Sequence, residues 1–186
     1  MKKLQFIALA LFTATLFSSC SDDGHDHGTN EEELITTVIT TLTSGNQTIT
    51  LTSKDLDGNG PNAPVVTTSG DLTVNTTYTG SIQFLNESVS PSIDITKEIK
   101  EEGLEHQIFY QAAASIGAFT YTDADTKGKP IGLAFTLRTA ASPTTGTITV
   151  VLKHEPNKSA SGVAGGSMTN AGGATDASVT YNVVLK

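Results

Sequence analysis

Four histidines and a single cysteine carry the softest donor atoms of this 186-residue chain, and each has acidic residues close by. His25 and His27 flank Asp26 and follow Asp22 and Asp23, so one short run offers two imidazoles and several carboxylates to Zn²⁺ or Cu²⁺. Nothing rigid surrounds that run. It suits transient capture of an ion, and it reads equally as a solvated spacer with no ion at all. Further on, His106 follows Glu101, Glu102 and Glu105, and His154 is followed by Glu155. These groups form a second candidate metal set if the fold brings them together. By parity His106 travels with Ile108 and Tyr110, and His154 with Leu152. Each therefore also reads as a partly buried, hydrogen-bonded histidine at a strand end.

Asp55-Leu56-Asp57-Gly58-Asn59-Gly60 fits the pattern D-x-[DN]-x-[DN]-G, in which alternate side chains of a tight loop aim oxygens at one point. Asp55, Asp57 and Asn59 would then serve a hard cation such as Ca²⁺. An EF-hand is excluded: its twelfth position, a bidentate Glu, is Val66 here, and Pro61 and Pro64 prevent a following helix. Asp123-Ala124-Asp125-Thr126-Lys127-Gly128 opens the same way but puts Lys127 where a third oxygen belongs. Turn chemistry alone explains either run. The chain has no G-x-S-x-G elbow, no H-E-x-x-H and no P-loop lysine. Trp is absent and aromatics make up 6% of residues, a poor supply of sugar platforms. The expectation is a protein that is not an enzyme. A hydrolase would need His106, His154 and their carboxylates to meet in a cleft.

The elements that must hold these residues begin with a leader. Lys2 and Lys3 precede a nearly unbroken apolar run, Leu4 to Phe17, which stops at Ser18-Ser19 before Cys20. That arrangement is a signal peptide over 1-19, and it is shorter than the ~20 apolar residues a spanning helix needs. Leu16-Phe17-Ser18-Ser19-Cys20 resembles a bacterial lipobox, with Phe17 where a branched aliphatic residue is usual. The resemblance implies cleavage before Cys20 and acylation of its sulfur, so that the lipid alone ties the protein to a membrane. Losing Lys2 and Lys3 from the 11 basic residues leaves 9 against 19 acidic ones, a net charge of −10 in place of −8. Such a surface argues against nucleic acid and anionic headgroups as partners.

Residues 21-33 contain no apolar side chain and read as the rest of a flexible tether, 20-33, leaving 34-186 as one β domain. In that domain apolar residues alternate: Leu72, Val74, Tyr78, Ile82 and Phe84; Ile131 to Leu137; Ile148 to Leu152; Val179 to Leu185. Weaker runs lie at 35-42, 48-51, 65-68, 107-112 and 117-122, with Gly, Pro, Asn and Asp between them. The pattern predicts an all-β fold, an antiparallel sandwich of Ig-like or jelly-roll-like type or a partly closed barrel, with one short helix over Ser92 to Glu102 stopped by Gly103. Residues 159-176, rich in Gly, Ala and Ser, read first as a mobile hairpin tip and otherwise as a functional loop.

Ser21-Asp22-Asp23 resembles the export signal of lipoproteins displayed on the outer surface in Bacteroidota. With HDHGTNEEE, DLDGNGPNAP, FLNES, EEGLEHQIFY, YTDAD and KHEPNKSASGV, nearly the whole chain after Cys20 resembles small flavobacterial surface lipoproteins of unassigned activity. Members of that group often carry the label "type 1 periplasmic binding fold", a two-lobed α/β architecture. One short helix and repeated alternation do not fit such a fold. The resemblance implies an outer-membrane, lipid-anchored protein facing the cell exterior. Two functional expectations follow. The first is capture of a small ligand or a metal ion, Zn²⁺ or Cu²⁺, for an outer-membrane transporter. The second is a structural or adhesion module stiffened by Ca²⁺ at Asp55, Asp57 and Asn59.

Overall fold

The alternating runs become strands because each has one face to bury and one to hydrate. The structure is a computed structural model that describes residues 34-58 and 61-186. The expectations placed on Cys20, His25, His27 and Asn59, and on the leader and tether, lie outside the described residues. In chain order the elements are β1 (Thr37–Ser44), β2 (Gln47–Lys54), β3 (Val65–Thr68), β4 (Thr77–Asn86), β5 (Ile93–Asp94), α1 (Thr96–Glu101), β6 (His106–Ala112), β7 (Gly117–Tyr121), β8 (Ala134–Thr139), β9 (Thr144–His154) and β10 (Ala174–Leu185). One sheet runs β3-β2-β1-β4-β8-β7 with β5 beside β4, and the other runs β10-β9-β6. All the strand pairings are antiparallel, and neither sheet closes into a barrel. The fold is the all-β sandwich that the alternation predicts. Among the described residues no helix is long and apolar enough to cross a membrane.

The core fills the space between the sheets. Tyr78, Ile82 and Phe84 of β4 point in, while Thr77, Thr79, Ser81 and Gln83 point out. Across from them lie Ile108, Tyr110, Ile148, Val150, Leu152, Tyr181 and Val183, all buried. Each such side chain contributes about 1.5-3 kcal/mol on leaving water. Gly80 interrupts the inward row of β4 because the ring of Phe135 occupies the place a Cβ would take. Buried tyrosines keep their hydroxyls satisfied: Tyr110 donates to the Gly132 carbonyl at 2.6 Å and Tyr181 to the Val38 carbonyl at 3.2 Å. Burial raises the Tyr110 phenol well above its ordinary range.

Two expectations need correction. The helix spans only Thr96–Glu101, because Ile93 and Asp94 pair with Asn86 and Leu85 and the Thr96 hydroxyl holds the Phe84 N–H. Only its Ile99 face is needed by the core. Residues 159-176 are not a bare hairpin tip either: 174-176 belong to β10, and before it come residues 155-173. They fold back over the outer face of the three-stranded sheet, where Val163 and Ala171 pack with Phe109 and Val151 in a second apolar cluster. Gln107, wholly buried, donates to the Val163 carbonyl at 2.8 Å. Strand β6 is thereby covered on both sides, so His106 to Tyr110 are all buried.

Candidate metal centre

Two adjacent strands end at the same level, and their ends carry the two histidines of the domain. In the β6–β9 register His106 stands directly opposite His154, and the imidazoles stack with centroids 4.7 Å apart. His106 is 3% exposed and the His154 side chain 12%. The inner-face parity that placed each histidine with buried neighbours in sequence is what brings them face to face.

Two irregularities then point carboxylates at this pair. The β9–β10 register shifts between Thr175 and Ala177, a bulge that makes Asp176 the extra residue of β10. Stepping back from Val179 by twos would put Asp176 on the outer face; the bulge instead brings its Oδ2 to 3.9 Å from His106 Nε2. Glu155, just past β9, adopts a left-handed backbone with φ of 50°, unusual for a residue with a Cβ. Its N–H bonds the Glu105 carbonyl at 2.6 Å, which locks the two acidic residues side by side. Glu105 in turn places Oε2 3.7 Å from His154 Nε2. The returning chain passes close behind the histidine at Gly173, whose φ of 68° and contact with the His154 carbonyl leave no room for a side chain. Two overlapping sets result, His106–His154–Asp176 and Glu105–His154–Glu155, each with ligand atoms mutually within 4.8 Å.

The protonation state suits a cation. His106 Nδ1 lies 3.3 Å from the Glu102 carbonyl, which can only accept, so Nδ1 carries the proton and the lone pair of the neutral ring sits on Nε2. Burial, and secondarily the nearby His154, lower the His106 pKa from its ordinary 6.5. Near neutral pH the Nε2 lone pair and the Asp176 carboxylate are thus two acceptors 3.9 Å apart. Ligands 2.0-2.2 Å from a tetrahedral zinc stand roughly 3.4 Å from each other, so about half an ångström of contraction would suffice. The Glu102 carbonyl behind Nδ1 is the kind of outer partner that orients a metal-bound imidazole.

Comparison with family models, curated proteins and solved structures gives no match for this chain. The site must be read from its own geometry. Of the residues singled out in sequence, His106, His154 and Glu155 converge, with Glu105 beside them. Asp176 was missed, since it fell inside the Gly-, Ala- and Ser-rich run 159-176 that reads as a loop, whereas it is the bulged residue of β10. The convergence is also what a hydrolytic reading requires of these groups.

The two acidic loops behave differently. At the second, Asp123 takes the N–H groups of Gly132, Leu133 and Ala134, and Asp125 takes those of Lys127 and Lys129. Its cation comes from the protein. Lys158 sets its ammonium 2.9 Å from Asp125 and against the Gly103 carbonyl, with the two side chains 6% and 2% exposed. Burial alone would raise the Asp125 pKa, but the Lys129 N–H, Lys158 and the Lys127 N–H bring it below the usual carboxylate value. At the first loop the Asn62 side chain, 2.6 Å from Asp57, is the main cause holding Asp57 below the ordinary carboxylate pKa. Neither Asp55 nor Asp57 joins the histidine group.

Proposed function

We propose that this protein is a cell-surface lipoprotein, anchored through Cys20, that captures a divalent transition-metal ion such as Zn²⁺ or Cu²⁺ at His106, His154 and Asp176, with Glu105 and Glu155 at the rim. The observation that carries it is His106 Nε2 opposite the Asp176 carboxylate, 3.9 Å away, beside a stacked second imidazole. Two imidazoles and a carboxylate are a borderline-soft donor set, suited to zinc and copper better than to calcium. The bulge at Asp176 and the left-handed Glu155 are two departures from regular geometry at one place, a pattern common where a fold serves a site. A capture role also fits the acidic chain and the histidine-acid run at His25 and His27, which would raise the local ion concentration for transfer to an outer-membrane transporter.

Calorimetric titration of the full chain carrying Cys20→Ser tests the reading. Zn²⁺ or Cu²⁺ should bind at one tight site per chain, and His106→Ala with His154→Ala should remove it while leaving any looser binding by His25 and His27. Absence of a tight site would remove the capture reading.

A second reading rests on the spacing of Asp55, Asp57 and Asn59 in one short run, whose oxygens a hard cation would gather. There Ca²⁺ would stiffen the loop of a structural or adhesion module. The melting temperature should then rise with added Ca²⁺ and fall with chelator; an unchanged melt in both would exclude it.

A further inference from the structure

Beside the histidine pair, the sandwich is not closed. A cavity of about 370 Å³ lies between the two sheets, walled by Thr36, Val38, Ser53 and Asp55 on one side and Asp176 and Val179 on the other. That volume matches a small organic molecule. Asp176 is the one residue shared by this wall and the metal set, so an ion held there would present its remaining coordination positions beside the cavity. Asp55 is fixed on the opposite wall by its N–H bond to the Thr36 carbonyl at 2.7 Å. Its Oδ1 is buried and has no hydrogen-bond donor among the described residues. A buried acceptor left in that state is destabilising, and a donor on a bound molecule would relieve it.

We infer that the site takes its metal ion together with a small amine-type chelator, whose donor atoms complete the coordination beside Asp176 while its N–H or O–H group reaches Asp55 across the cavity. This rests on the capture reading above. The wall chemistry selects the chelator class. Two carboxylates face the space, so a polycarboxylate such as citrate would meet like charge, whereas a neutral or cationic amino-acid-like chelator would not. Val38 and Val179 accommodate a short carbon chain, and Ser53 adds a hydroxyl at 4% exposure.

Equilibrium dialysis of the Cys20→Ser chain against Zn²⁺ alone, L-histidine alone, the two together, and Zn²⁺ with citrate separates the possibilities. L-Histidine should be retained only with Zn²⁺, one per ion, and citrate should strip the ion. Asp55→Asn should weaken histidine retention about tenfold, the loss expected for one hydrogen bond to a charged group, and leave binding of Zn²⁺ alone unchanged. X-ray absorption at the zinc edge should show one more imidazole or amine in the ternary complex than in the binary one. If Zn²⁺ binds but histidine competes for it, or is held equally well by Asp55→Asn, the inference is overturned and ion capture stands. If Zn²⁺ does not bind, both fall.

Discussion

Two polar corners, linked by Lys158 lying four residues after His154, solve the same electrostatic problem in opposite ways. At the corner of Asp123 and Asp125, five backbone N–H groups and the Lys158 ammonium meet the carboxylates, so the charge is balanced from within. At the corner of His106, His154 and Asp176, the imidazole that faces the carboxylate is held neutral and turns a lone pair toward it. The first corner uses its groups to fasten the 155-173 segment to the body of the sandwich. The second keeps a donor set that a cation could complete. Both began as acidic stretches near strand ends, and what separates them is the group set against the carboxylate, an ammonium at the first and an imidazole at the second.

The largest test of that contrast is Lys158→Met. Removing the ammonium leaves Asp125 nearly buried with only backbone partners, and breaking a buried pair in this way costs about 3-5 kcal/mol. Urea denaturation should show it as a lower midpoint, with Zn²⁺ affinity little changed; an unaffected midpoint would mean that the pair does not fasten the segment. At the other corner a saturating ion should stabilise the fold, by about 2.7 kcal/mol when free Zn²⁺ is a hundred times its Kd. Thermal melts with and without Zn²⁺ measure this, and the His106→Ala, His154→Ala double variant should show no such gain.

A smaller effect is expected for Glu155→Gly. A left-handed residue with a Cβ is strained by about 1 kcal/mol, offset in part by the greater chain entropy of glycine, so the ion-free protein should be equally or slightly more stable. Its affinity for Zn²⁺ should fall about tenfold if the carboxylate serves the site. Gain of stability without loss of affinity would assign the strain at Glu155 to the loop alone.

The pH response is the subtlest. The folded His106 takes up its proton below the 6.5 of the unfolded chain, chiefly through burial. Between those values the unfolded state holds more protons, so the ion-free fold should lose stability as pH falls below 6.5 and be insensitive to this group above it. Bound Zn²⁺ must also be displaced by protons, so the loaded protein should lose melting temperature more steeply over that interval.

Legibility followed the range of the interactions. Strands with one wet face announced themselves by period-two alternation, as in Tyr78 to Phe84 and Val179 to Leu185. Strand β6 did not, because Gln107 and Phe109 face a cover supplied by residues 155-173, more than 40 positions away. The helix was read too long because Ile93 and Asp94 gain more from pairing with β4 than from helical bonds of their own. For the metal set, parity correctly put His106 and His154 on the inner face, and Glu155 was visible as a neighbour. Asp176 was invisible, since it lies in the run 159-176 that reads as a loop, and a one-residue bulge leaves no mark in composition.

By itself, then, the sequence determined the all-β architecture and which residues turn inward in the strands with one wet face, because alternation and turn residues act over a few positions. It also carried the lipobox-like leader and the expectation that Cys20 is the anchor. Only the tertiary structure decided that His106 meets His154, that Asp176 joins them, and that Lys158 neutralises the other acidic corner. Those outcomes depend on strand register, a bulge and a distant loop, which arise when separate segments compete to bury the same surface.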